Sequence, residues 1–379
     1  MFLERLELVD IRSYRHVYLA LGSGPNIVVG GNAQGKTNLI EAVHYLSIGA
    51  SHRASHDAAL VRMGAEAGVI RANAQLQDGR ELLVEVELRP GGRNRAKVNR
   101  QAQPRSRDAI GVIRSILFAP EDLQLIRGEP AGRRRFLDDL LGQRRRAFLA
   151  ARQEYERVLR QRNALLRRLR AGAFGDDQIL GTWTDALVRA GAVLLAARVA
   201  VVHSLAGPAA AAYADLVGRP CIRSPGAPIT LAYELSTGRS VAGEPGGGIP
   251  DPGDLAEELR TGLADVAALE RERGTTLAGP HRDDLHLTIG ALPAKGYASH
   301  GEQWSLALAL RLASHAVLYE VGEEPIVLLD DVFAELDARR RERLAQCCGR
   351  FEQVIVTAAV EGDVPLRGPR HWVGEGTVR

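Results

Sequence analysis

The sequence predicts an α/β fold, a mixed sheet with flanking helices, whose two halves lie towards opposite ends of the 379-residue chain around a mostly helical insertion. Three observations predict it. Near the start, the apolar run Ile27-Val28-Val29 leads straight into Gly30-Gly31-Asn32-Ala33-Gln34-Gly35-Lys36-Thr37, the pattern G-x-x-x-x-G-K-[ST]. Roughly 300 residues later, Pro325-Ile326-Val327-Leu328-Leu329 closes on two carboxylates, Asp330 and Asp331. Between them, from about Leu137 to Leu216, the pattern turns helical and rich in arginine.

In chain order, Phe2 to Val9 alternates as a strand, and a helix from Thr37 to Ile48 carries Leu39, Ile40, Val43 and Leu46 on one face. Val69 to Leu76 and Leu82 to Leu88 read as further strands, and Ile116-Leu117-Phe118 as a short buried one. The helical stretch breaks at Gly172, Gly175 and Gly181, and Ala190 to Ala214 reads as an alanine-rich packed helix pair. Arg219 to Pro228 and Ser236 to Gly253 read as loops, followed by a helix from Leu255 to Arg273. Helix and strand return with an apolar helix from Trp304 to Leu318, the run ending at Asp331, and the strand Val354-Ile355-Val356. The expected division is therefore a split head, residues 1–136 and 274–379, around an inserted lobe, residues 137–273.

Strand, loop and helix give the glycine motif its chemistry. Glycines let the backbone wrap a phosphate, the amides of the turn and of the new helix point inward, Lys36 reaches the β and γ oxygens, and Thr37 offers a hydroxyl to Mg2+. The second run reads as the strand that delivers Asp330 to the Mg2+ shell and leaves Asp331 to orient or deprotonate the attacking water. ATP and Mg2+ are the expected cofactors. Ser299-His300-Gly301-Glu302-Gln303 has two readings with one geometry: a helix capping box from Ser299 to Glu302, and an anion site in which Ser299 touches a γ-phosphate.

Composition sets the class. At 45% hydrophobic and 25% charged residues, the chain is ordinary for a globular protein of two or three domains. Glu4, Arg5, Glu7 and Asp10 exclude a secretory signal peptide at the start, and Arg198, His203, Gly207 and Pro208 interrupt the most apolar stretch, so no membrane span is expected. Three cysteines, two of them adjacent, form neither a disulfide framework nor a metal spacing, which points to a reducing cytoplasm. The net charge of +3 hides strong asymmetry. Arg127 to Arg170 holds fourteen arginines against five acids, and Arg89 to Arg107 has seven positive residues and no acid. Either stretch is a surface for nucleic-acid phosphates or a solvated charged face; Arg93, Arg95, Arg133, Arg134, Arg144, Arg145 and Arg146 are the candidate contacts.

Taken together, the chain resembles the RecF family, bacterial recombination-repair ATPases of the SMC-like branch of the ABC ATPases. The resemblance runs nearly end to end. It rests on Leu8-Val9-Asp10-Ile11-Arg12-Ser13-Tyr14, the phosphate loop, Phe118-Ala119-Pro120-Glu121-Asp122-Leu123, and Gly132-Arg133-Arg134-Arg135-Phe136-Leu137-Asp138. It rests also on Ala278-Gly279-Pro280-His281-Arg282-Asp283-Asp284, the Ser299 segment, and Leu329 to Asp337. The resemblance implies a P-loop head of ABC/SMC type, with Ser299, Gly301, Glu302 and Gln303 as a signature acting in trans on ATP held by a second copy. It implies Glu335 and Asp337 in a D-loop at the dimer interface and Thr357 as a switch near the γ-phosphate. Single- and double-stranded DNA, the partner proteins RecR and RecO, and indirectly the recombinase RecA follow from it, as does a role in the SOS response.

Two departures from the family pattern stand out. The opening reads Asp-Ile-Arg where Asn-Phe-Arg is usual, and Glu302 stands where Gln is commoner. The Pro120, Arg133 and His281 motifs have no role that the sequence supplies, and His281 with Asp283 and Asp284 reads as loop hydrogen bonding rather than a metal site. ABC ATPases generally carry Glu at the position of Asp331; the shorter side chain stops about 1.5 Å short, which predicts slow hydrolysis. An ABC transporter subunit, which would not need the basic insertion, and a non-hydrolysing nucleotide-gated DNA adaptor are the competing functions.

Overall fold

The computed structural model describes residues 1–172, 177–218 and 229–379. The chain forms two compact units: residues 1–122, 214–218 and 307–379, and residues 123–213 and 219–306. The boundaries expected after residues 136 and 273 both fall inside the second unit.

The first unit holds two sheets. β1 (Phe2–Ile11), β2 (Tyr14–Ala20), β4 (Gly68–Gln75), β5 (Glu81–Leu88), β6 (Arg95–Val98) and β7 (Gln101–Ala102) form an antiparallel sheet in the order β2-β1-β4-β5-β6-β7. β3 (Gly24–Val29), β8 (Ser115–Phe118), β13 (Ile326–Asp330), β14 (Gln353–Ala358), β15 (Arg370–Gly374) and β16 (Thr377–Val378) form the other, ordered β16-β15-β3-β14-β13-β8. There all pairs are parallel except β15 with β16. Every residue of β8, β13 and β14 is buried, which explains why they read as continuous apolar runs and not as alternating ones.

α1 (Lys36–Ile48) packs within this unit, and besides its expected apolar face it buries Lys36, Glu41 and His44. Gly49, at φ 66°, closes it with an N–H donated to the Tyr45 carbonyl. One core joins Leu6, Leu8 and Ile70 of the antiparallel sheet, Leu39 and Val43 of α1, and Val28, Leu328 and Ile355 of the parallel one.

The second unit contains α2 (Leu123–Arg127), α3 (Pro130–Arg144), α4 (Arg146–Arg170) and most of α5 (Asp177–Val217). α5 is one helix, so the expected helix pair is corrected: Pro208 and Gly181 lie inside it, and most of its apolar length is buried. By length and composition alone it is long enough to cross a membrane; its burial within the protein is the mark of a core helix. The expected break at Gly175 and the loop from Arg219 to Pro228 lie outside the described residues.

This unit is not simply helical. β9 (Ile229–Glu234), β10 (Ser240–Ala242), β11 (Asp284–Ile289) and β12 (Leu292–Pro293) make an antiparallel sheet in the order β10-β9-β11-β12. β10 thus occupies part of the segment read as loop. α6 (Pro252–Asp265) and α7 (Ala267–Arg273) replace the single helix expected there; the break is at Val266. α8 (Ala294–Tyr297) and the start of α9 (His300–Tyr319) complete the second unit, while the rest of α9 and α10 (Ala338–Cys348) belong to the first.

Candidate nucleotide site

The parallel sheet ends its strands where the candidate residues lie. β3 runs into the phosphate loop after Val29, β13 ends at Asp330, and β14 carries Thr357. In open α/β sheets ligands bind at such carboxyl ends. The loop geometry requires its glycines: a Cβ on Gly30 would stand 2.4 Å from the Val373 carbonyl oxygen, and Gly35 has φ 111°. Ala33 also takes a positive φ, of 62°, and Gln34 accepts a hydrogen bond from the Glu375 amide at 3.0 Å.

Thr37 donates its hydroxyl to Asp330 Oδ1 at 3.1 Å, so residues 293 apart in sequence meet. Thr357 donates to the same oxygen at 2.7 Å and accepts the Asp331 amide at 2.9 Å. Asp331 sits in the left-handed region at φ 51°, an uncommon conformation for a residue with a side chain. Its carboxylate lies 3.8 Å from Lys36 Nζ, which also donates to the Gly31 carbonyl at 3.2 Å. Lys36 is only 4% exposed. Burial raises the Asp330 pKa above the ordinary carboxylate range; the two threonine hydrogen bonds act against this, and the charges of Asp331 and Glu121 add to the rise. A buried carboxylate satisfied by hydroxyls, with a threonine oxygen beside it, is an oxygen-rich donor set that suits a hard divalent cation. Thr37 and Asp330 fit Mg2+ on that chemistry.

Three further groups surround the loop, each named in a family motif but without a role read from the sequence. Arg12 grips buried Glu41 of α1 through two hydrogen bonds of 2.7 and 2.8 Å and donates to the Ala59 carbonyl, tying the chain's opening to the phosphate-loop helix. Burial alone would raise the Glu41 pKa, but hydrogen bonds from Arg12 and Ser51 and the arginine charge hold it low. Tyr14 is buried against Gly35 with its hydroxyl unpartnered. Glu121 lies near enough for its charge to act on Asp330; a carboxylate just after the end of β8, next to β13 in the sheet, was the available signal. The neighbouring Asp122 is structural: it accepts the Ala119 amide at 3.1 Å and Arg311 Nη2 at 2.6 Å.

The remaining candidates lie elsewhere on the chain. Ser299, Gly301, Glu302 and Gln303 belong to the second unit. Ser299 and Glu302 form a reciprocal cap, with the Ser299 amide and hydroxyl both donating to Glu302 Oε2 at 2.8 Å. Gln303 donates to the Ala298 carbonyl, and Arg127 donates to both Gln303 and His300. Glu335 is exposed on a short turn, and Asp337 caps α10 by accepting the Arg340 amide at 2.9 Å.

Of the basic candidates, Arg93, Arg95, Arg145 and Arg146 are exposed. Arg133 is not: it is 6% exposed and bound to Asp284 by hydrogen bonds of 2.7 and 2.8 Å. Arg134 donates to the Asp283 carbonyl at 2.6 Å, and Arg144 to Ser204 at 3.1 Å. The Arg133 and His281 motifs therefore interlock. Asp138 takes Arg198, which also donates to Tyr233 and the Pro280 carbonyl; Tyr233 donates to Asp283, and Tyr155 pairs with His281 Nδ1 at 2.7 Å. Their role is to bind α3, α5, β9 and the segment before β11 into one buried polar network. Among the described residues no cluster of histidine, cysteine and carboxylate fit for a metal occurs.

A phosphate loop, a carboxylate-closed strand and a threonine on the neighbouring strand, all at one edge of a parallel sheet, define a P-loop ATPase head of the ABC/SMC kind. The chain belongs to the RecF/RecN/SMC N-terminal domain family, whose model matches residues 2–364, and within it to the RecF DNA replication and repair proteins. It is 51% identical over 391 residues to the DNA replication and repair protein RecF of Streptomyces avermitilis, covering 100% of this chain and 99% of the relative. The corresponding protein of Frankia alni is 50% identical over 384 residues, with 100% and 99% covered. Among solved structures, the recombination mediator protein RecF with ATP, of the RecFOR pathway, superposes with a TM-score of 0.86 at 26% identity, covering 100% of this chain and 98% of that one. The Smc head domain of Pyrococcus furiosus shares the fold at a TM-score of 0.52 and 17% identity, with 100% and 95% covered.

Proposed function

We propose that the chain is an ATP-driven dimeric clamp on DNA, a switch and not a motor, acting in the cytoplasm at gaps in DNA. The observation that carries this reading is the meeting of Thr37, Thr357 and Asp330 around one carboxylate oxygen, which assembles a nucleotide site from both ends of the chain.

ATP is held by the amides of Gly30 to Thr37, with Lys36 on its β and γ phosphates. Lys36 then exchanges its present partners, the Gly31 carbonyl and Asp331, for phosphate oxygens, which frees Asp331 to take the proton of the attacking water. Thr37 and Asp330 hold Mg2+, which supplies charge neutralisation at the phosphates when bound. Thr357 fixes the Asp331 backbone and so carries the state of the γ-phosphate into the sheet. Ser299 and Gly301 close on the ATP of a second copy through the capped N-terminus of α9, while Glu335 and Asp337 face that copy.

DNA is gripped by the exposed guanidiniums of Arg93, Arg95 and Arg146, and Arg133 is excluded from that role by its burial. Hydrolysis is slow because the Asp331 side chain is short, is stimulated by DNA, and releases the clamp. RecR and RecO act with this clamp, and RecA is loaded as the outcome, as the family membership supports. Single-turnover hydrolysis with Asp331→Asn tests the catalytic part: a fall of at least about a hundredfold is expected for loss of a general base, and an unchanged rate would contradict it. Absence of single-turnover hydrolysis in the wild type itself would favour the non-hydrolysing adaptor, the reading that the short Asp331 side chain supports second.

A further inference from the structure

Within the second unit a groove of about 360 Å3 runs between α5 and the junction of α3 with α4. Its α5 wall is Val193, Ala197, Ala200, Val201 and Ser204. The spacing of four, three and four from Val193 to Ser204 places these residues on one helical stripe of three turns. The opposite wall is Leu141 of α3 with Ala147, Phe148 and Ala151 of the first turns of α4, again small or apolar residues. Val193 is 52% exposed, and Ile249, at the mouth, is 55% exposed. A stripe of this kind on a long helix ordinarily meets another helix, and its alanines leave room for a close backbone approach.

The charges select the occupant. Arg144 and Arg145 line the groove, with Arg144 held beside Ser204 by its hydrogen bond. Arg189, one turn before Val193 on the same helix, is exposed at the other end. Among the described residues no acid lines the groove. An apolar floor of three turns with arginines towards both ends complements an amphipathic helix with apolar residues on one face and carboxylates near its ends.

We infer that this groove is a docking site for an acidic amphipathic helix of a partner protein. The site is separate from the nucleotide-binding residues, and the inference does not depend on the clamp mechanism. It assigns Arg145 to a protein partner and away from the DNA phosphates.

The test uses the full chain and a fluorescein-labelled helical peptide of about 16 residues, with leucines spaced three and four apart and glutamates on the other positions. A lysine version of the same peptide, a DNA duplex and the protein's own molar mass serve as the other arms. The acidic peptide is expected to bind and the lysine version not to, with Ala200→Arg and Arg145→Glu each weakening binding about tenfold or more. Val193→Glu, at an exposed position, gives the same loss should Ala200→Arg fail to fold. The inference is overturned if the acidic peptide fails to bind, if both peptides bind alike, or if the folded groove variants leave the affinity unchanged. Loss of duplex binding in Val193→Glu would assign the groove to DNA, and loss of self-association in Val193→Glu would assign it to a second copy; either outcome overturns the proposal.

Discussion

Single side chains decide most of the chemistry. Replacing Lys36 by alanine removes a buried cation from the phosphate site, and ATP affinity is expected to fall about ten- to hundredfold in equilibrium binding, the scale of a charge-assisted hydrogen bond. Asp331→Glu restores the longer side chain and is expected to speed single-turnover hydrolysis about tenfold. The Arg133 motif, by contrast, belongs to stability. Arg133→Ala takes the guanidinium away from Asp284 and from the Leu125 and Gly128 carbonyls, and breaking this buried pair should cost about 3 to 5 kcal/mol in denaturant unfolding.

The same network makes a pH prediction with two opposed slopes. Burial pushes His281 down to about 4 from 6.5, so the stability it contributes is present above pH 6.5 and is lost as pH falls towards 4. Burial pushes Asp283 up to about 6 from 3.8, so its contribution is fully present below pH 3.8 and is lost as pH rises through 6. On acidification the two oppose each other. Asp283→Asn removes one slope, and its melting temperature is expected to fall more steeply than that of the wild type between pH 6.5 and 4.

At the scale of elements, the phosphate loop with its helix and the carboxylate-closed strand were legible because both are local: each needs only a short run of residues. β13 and α1 lie within a residue or two of their expected bounds. That Thr37 meets Asp330 was legible from the two motifs, which share one Mg2+, whereas Thr357 was legible only through the family pattern, since nothing in the spacing places β14 between β3 and β13. The sheet of β9 to β12 was not legible. Its strands are short, β9 and β11 are about fifty residues apart, and the glycine-rich stretch around β10 carries the composition of a loop. α5 was misread because Pro208 and Gly181 ordinarily break helices, whereas burial along α5 overrides local propensity. The Arg133 and His281 motifs had no sequence-level role because their meaning is each other. At the capped N-terminus of α9, Ser299→Arg is expected to leave ATP on single copies while blocking their pairing, because Ser299 is exposed and its cap partner Glu302 lies within the same turn.

For the whole molecule the basic surface sets a measurable quantity. Arg93→Ala with Arg95→Ala removes two exposed cations, and the slope of log affinity for duplex DNA against log salt is expected to flatten by about two. An unaltered slope would move DNA contact to Arg146. The roles proposed for Ser299, for Glu335 and Asp337 and for Thr357 have a common purpose only if ATP bridges two copies. Light scattering of the full chain, with and without ATP and Mg2+ and with a DNA duplex across a salt series, reads that pairing as mass. The mass is expected to double with ATP, more completely with DNA, and to revert in Ser299→Arg. A mass that stays at one copy whatever the nucleotide would contradict the pairing and leave Ser299 as the cap of a helix and nothing more.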